Sequence, residues 1–168
     1  MLKVGFTTTI PVEVILAANK IPIDLNNVFV NAPNSLAMVE FAEEAGYPRT
    51  TCGWIKGLYT AALDYNLEAL VAVMVGDCSN TQALMETLFL KGLNTIPFAY
   101  PFDRDMDMLK AHIYKFMTAF GVDMPEVLQV KHELQPIRDL LKILDLMTWQ
   151  ENIVKGAENH YFLVSSSD

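Results

Sequence analysis

Two thiols, Cys52 and Cys78, are the most chemically informative side chains in this sequence of 168 residues. A thiolate is a nucleophile and a ligand for soft metals, whereas a buried thiol behaves as a small hydrophobe. Cys52 opens a segment in which Ile55, Leu58, Tyr59, Ala62 and Leu63 recur at helical spacing, which predicts a helix to about Asp64. Cys78 falls in Gly76-Asp77-Cys78-Ser79-Asn80, a tight turn from a strand into a helix over residues 81–90. Helix N-termini carry unpaired N–H groups and partial positive charge, which favour thiolate over thiol. The separation of the two cysteines matches no short metal motif such as C-x-x-C, and spacing alone favours inert core thiols. No resolving cysteine of that kind is present for direct thiol–disulfide exchange. The pair is therefore either two small core residues or a working one.

Other side chains rank below them. Glu13 follows Pro11 in a first helical turn, where the dipole favours a carboxylate, so a catalytic role and a plain electrostatic one are both open. Thr8 and Thr9 lie in a polar turn after the first strand and are candidate ligand contacts. Lys56 is expected either in solvent or orienting an anionic ligand. Asp77 should cap or brace its turn, and Ser79 should cap or offer an oxygen beside a metal. His112 lies in an apolar stripe and is expected as a satisfied core histidine; His132 and His160 have no partner at ligand spacing. Met106, Met108 and Met117 are expected to fill core gaps. Asp103, Asp105 and Asp107 lack the glycine and distal glutamate of a calcium loop.

The frame that must position these residues alternates strands and helices. Strands are expected at residues 2–6, 21–25 (an edge, because of Pro22), 67–75 and 95–100, with a further short one at Val28-Phe29-Val30. Helices are expected at 11–20, 35–45, 52–64 and 81–90. From Asp105 onward the pattern is helical: a stripe from Met108 to Phe120, then 124–133 and 136–147, one helix kinked or restarted at Pro136. Residues 153–164 are mixed, and Ser165 to Asp168 reads as a chain end or the entry to a following segment. Such alternation predicts an α/β fold: a parallel sheet of about four strands flanked by helices, with a helical C-terminal part. The strand–helix core spans about residues 1–104 of one domain and the helical extension about 105–168. Ligands of such sheets gather beyond the C-terminal strand ends, which selects the loops at 7–10, 76–80 and 100–105.

Composition narrows the classes. Hydrophobic residues make up 52% and charged ones 19%, which predicts a well-buried core and further surface covered by a partner subunit or a second domain. The net charge is -8 and the cations are scattered singly, so nucleic-acid binding is not expected. The N-terminus lacks signal-peptide features and no apolar run is long enough to span a bilayer, so a cytoplasmic location without membrane contact is expected. A structural disulfide is not expected there.

Four segments carry a family resemblance. Arg49-Thr50-Thr51-Cys52-Gly53-Trp54-Ile55-Lys56-Gly57-Leu58-Tyr59 resembles the segment of the 2-hydroxyacyl-CoA dehydratase and benzoyl-CoA reductase subunit family in which a first cluster cysteine opens a helix. Val73-Met74-Val75-Gly76-Asp77-Cys78-Ser79-Asn80-Thr81 is similar to the turn that presents the second. Thr9 to Ala18 resembles the family's proline-x-glutamate helix, with Ile21-Pro22-Ile23 after it, and Ile96 to Pro101 its next strand and loop. Together they cover most of residues 4–101.

The resemblance implies the N-terminal domain of a two-domain subunit with flavodoxin-like or Rossmann-like topology. It also implies a 4Fe-4S cluster bound through Cys52 and Cys78, and an acyl-CoA substrate. An ATP-dependent activator iron–sulfur protein would supply electrons, and a paralogous subunit or second domain would complete the site. The implied reaction is ketyl-radical elimination of water from a 2-hydroxyacyl-CoA. The alternatives are a benzoyl-CoA reductase or double-cubane-type reductase component, or a non-catalytic assembly module that keeps the fold. Family members use three cysteines, the third in the second domain; this chain has two. The third ligand is thus expected from outside the chain, which alone is expected to be inactive.

Overall fold

The computed structural model describes residues 1–166; of the polar tail, Ser167 and Asp168 lie outside the described residues. Four strands form one sheet: β1 (Lys3–Phe6), β2 (Ile21–Asp24), β3 (Ala69–Val75) and β4 (Asn94–Ala99). All pairings are parallel, in the order β2-β1-β3-β4. This is the flavodoxin-like order, and the chain reverses its direction of winding between β1 and β3. The central β3, Ala-Leu-Val-Ala-Val-Met-Val, is apolar throughout because both of its faces are covered. Pro22 and Pro97 sit on the two edge strands, where a missing N–H does least harm to the ladder.

Alternation along β3 sorts two cores. Val71 and Val73 pack with Val4, Phe6 and Phe98 on one face, against α1 (Val12–Ala17), α6 (Met106–Phe120) and α7 (Met124–Trp149). Leu70 faces the other way, beneath α2 (Leu25–Asn31), α3 (Ser35–Glu44), α4 (Gly53–Asp64) and α5 (Asn80–Leu90). A last helix, α8 (Gly156–Val164), follows α7 and is tied to it by Asn159, whose amide donates to Asp145 at 3.0 Å.

Several expectations change. Val28-Phe29-Val30 is not a strand but the middle of α2. Asp24 caps that helix by accepting from the Asn26 N–H at 2.9 Å, and Leu25 is wholly buried, so tertiary packing overrides the β-branched preference. Residues 124–149 form one continuous helix through Pro136, started by a capping box between Asp123 and Glu126. Residues 156–164, read as mixed, are the helix α8. Met106 and Met108 are exposed, and only Met117 of the three reaches the core; His112 is half-buried. Ile137, Leu140, Ile143 and Trp149 of α7 are also exposed. No helix among the described residues is long and apolar enough to cross a membrane.

Candidate functional site

Where the winding reverses, the loops after β1 and β3 separate and leave a depression over the sheet. A cavity of about 360 Å³ lies there. Thr7 and Thr8 enter it from the β1 loop, Asn26 from α2, Cys52 and Trp54 from the start of α4, and Asp77 and Cys78 from the β3 loop. The two cysteines are far apart in sequence and reach one cavity because each ends a connection on the same side of the sheet. Both are free and exposed, so neither is a core thiol.

Local structure explains each placement. Cys52 is the N-cap residue of α4 in an extended-like conformation. Cys78 directly precedes the N-cap residue of α5, Ser79, after a turn that Gly76 makes possible with φ of +95°. A Cβ at Gly76 would also stand 3.0 Å from Tyr100 Cβ, so both backbone and space select glycine. β3 carries an irregularity between Val73 and Val75, which loosens its pairing just before this turn. The Asn80 amide donates to Cys78 Sγ at 3.5 Å, and Thr81 Oγ1 donates to Asp77 Oδ2 at 3.3 Å. Asp77 therefore braces the turn, as its position suggests.

Tyr100 joins the other two loops. Its N–H donates to the Val75 carbonyl at 2.9 Å and its hydroxyl to the Thr9 carbonyl at 2.8 Å. Burial pushes the Tyr100 phenol above its ordinary pKa of 10.0.

The remaining sequence-selected residues divide clearly. Thr8 lines the cavity with the cysteines. Thr9 does not line it; its carbonyl serves Tyr100 instead. Ser79 is exposed, makes no side-chain cap and lies outside the lining. Glu13 is buried away from the cavity, in an ion pair of 2.8 Å with Arg138 of α7. Lys56 is buried and turned toward α3, where its ammonium meets Glu43 at 2.6 Å. Neither is free to greet a ligand of this cavity. Trp54, Asn26 and Asn80 were not selected from sequence. Trp54 had a weak signal in standing two residues after Cys52; Asn26 had none.

Chemically, the cavity is a two-sulfur site without a cation. Asp77 is the one charged side chain in its lining among the described residues. Such a wall suits a soft metal centre better than a phosphate. The same residues contain no grouping of three or more His, Cys, Asp and Glu placed to hold a metal ion. The donor set fits part of a cluster site: this chain would offer two cysteine sulfurs, and a complete ligand set would need further donors from elsewhere.

A sequence profile described as 2-hydroxyglutaryl-CoA dehydratase, D-component, matches residues 7–163. The chain belongs to that family. Its match covers both cysteine loops, the whole sheet beyond β1 and the helices through most of α8. No curated relative matches the chain. The family is named for one component of a dehydratase, a lyase built from more than one component.

Proposed function

We propose that this chain is an iron–sulfur subunit, or part of one, of a 2-hydroxyacyl-CoA dehydratase-type enzyme. Cys52 and Cys78 supply two thiolates to a 4Fe-4S cluster, and a second domain or a paralogous subunit supplies the rest. The single observation that carries the reading is the convergence of two free, exposed cysteines from separate loops on one cavity at the switch point of the sheet. When bound, such a cluster would supply one low-potential electron, received from an ATP-dependent activator, to turn the thioester carbonyl of a 2-hydroxyacyl-CoA into a ketyl radical anion that can lose the neighbouring hydroxyl as water, the electron being returned as the unsaturated product forms. The chain's own residues hold and orient: Cys52 and Cys78 would ligate, Asn80 donates toward the Cys78 sulfur, and Trp54 forms part of the cavity wall beside Cys52.

Anaerobic reconstitution with iron and sulfide, on the chain with its completing partner, tests this. Cluster absorbance should form and be lost in both Cys52→Ser and Cys78→Ser. Reconstitution that ignores both substitutions would sink the reading. A benzoyl-CoA reductase or double-cubane-type component would share the same two ligands. A second reading, an assembly module that keeps the fold without catalysis, draws on the exposed apolar residues of α7 and on the presence of only two thiols. Stable association with a partner through α7, without iron in the complex, would favour it.

A further inference from the structure

Neither helix start that presents a cysteine is fixed by its own cap. Cys52 at α4 and Ser79 at α5 make no side-chain capping bond, and the bonds that brace the Cys78 turn reach nothing near Cys52, so contacts between elements are what relate one thiol to the other. One residue bridges the two sides. Asn26 Oδ1 accepts from the Trp54 indole N–H at 2.7 Å, and Asn26 Nδ2 donates to the Thr7 carbonyl at 2.9 Å and to Asp24 Oδ1 at 2.8 Å. Trp54 stands in the first turn of α4, two residues beyond Cys52, and its ring meets Phe29 edge-on with centroids 5.4 Å apart. Thr7, at the other end, is locked to β3: its N–H donates to Val71 at 3.2 Å, and its hydroxyl accepts from the Val73 N–H at 3.1 Å. β3 then leads directly to Cys78. A run of hydrogen bonds thus joins α4, whose N-cap residue is Cys52, to β3, which ends at Val75 three residues before Cys78, and Asn26 is its middle link.

We propose that Asn26 is a positioning residue which, through Trp54 on one side and Thr7 on the other, sets the separation of Cys52 and Cys78. The proposal rests on the reading that the two thiols act on one metal centre. It assigns work to a residue that touches neither sulfur.

Cadmium ion is a suitable probe, because two converging thiolates bind it with a sulfur-to-metal absorption band that needs no enzyme activity. The reduced full chain is titrated as wild type, Asn26→Leu, Trp54→Phe and the double variant, with thermal midpoints recorded alongside. Trp54→Phe keeps a ring against Phe29 and removes only the N–H, so it serves if Asn26→Leu fails to fold. Each single variant should weaken cadmium binding roughly tenfold, the size of effect seen when a ligand's supporting partner is removed. The double variant should be no weaker than the worse single one, since both break the same link. Wild-type affinity in the folded single variants would overturn the role of Asn26 and leave the cysteine pair standing. Additive losses would overturn the shared link. Absence of the band in the unaltered chain would overturn the cysteine pair, and the role of Asn26 with it.

Discussion

Lys56 Nζ lies 2.6 Å from Glu43 Oε1, yet the lysine side chain is 4% exposed while its partner is 26% exposed. The ammonium's other contact is the Arg49 carbonyl at 3.3 Å. Because the two ends of the pair differ in access to water, removing them should cost different amounts. Glu43→Ala strands a buried cation and should destabilise the fold by about 3 kcal/mol. Lys56→Met leaves a carboxylate that water can reach and an apolar chain in an apolar slot, costing about 1 kcal/mol. Urea unfolding of both variants measures the difference. Equal losses would show that solvent access does not govern this pair.

Gly57 lies where α4 crosses α2, and a Cβ there would stand 2.3 Å from the Phe29 ring. Helix propensity alone favours alanine by about 1 kcal/mol. The clash is larger, since overpacking of this kind costs about 1–3 kcal/mol, and the displaced ring is the one against Trp54. Gly57→Ala should therefore lower the thermal midpoint and shift the emission of Trp54, read in a Trp149→Phe background. A raised midpoint would mean that Phe29 moves aside freely.

Tyr47 gives a pH dependence. Its buried hydroxyl finds no partner of good geometry, and desolvation raises its pKa above 10.0; the charge of nearby Tyr59 adds to the rise and Thr87 opposes it. The folded state thus holds this proton more tightly than the unfolded state. Stability from this source is complete below the unfolded pKa near 10 and declines as pH rises through the higher folded value. Tyr47→Phe should flatten the alkaline limb of the stability curve and cost little at neutral pH, because no hydrogen bond is lost. Thermal melts between neutral and strongly alkaline pH would show it, and an unchanged alkaline limb would contradict it.

Both cysteines should react with iodoacetamide in the native chain, without denaturant, because both are exposed. Mass spectrometry after brief alkylation should find both modified, and prior cadmium loading should protect both together. Protection of one thiol alone would separate them.

The sheet was largely legible. The continuous apolar run of β3, the Pro22 edge strand and the turn glycines each report a local requirement that the sequence must meet in place. The helix starts at Cys52 and beside Cys78 were legible for the same reason. What escaped depends on distant partners. Val28 to Val30 has strand-like residues, but Asp24 and the contact with α4 impose a helix. Lys56 reads as a surface cation until Glu43, thirteen positions away (|i−j|=13) on another helix, is seen to claim it. The Asn26–Trp54 bond spans a separation of 28 in sequence (|i−j|=28), and no periodicity encodes it. Met106 and Met108 misled because an apolar stripe tells which face a helix buries, not how far along its length the core extends.

Tyr100 binds the β1 loop through its hydroxyl and the β3 loop through its backbone, so it acts as a clasp across the rim of the sheet. A clasp made with a phenol has one point of release, the proton it donates to Thr9. Burial raises the pKa that governs that proton, so ordinary cellular pH cannot undo the fastening. The loops that carry Thr8 and Cys78 are therefore fastened to one residue, and Tyr100→Phe would free the β1 side while leaving the backbone tie to β3 in place.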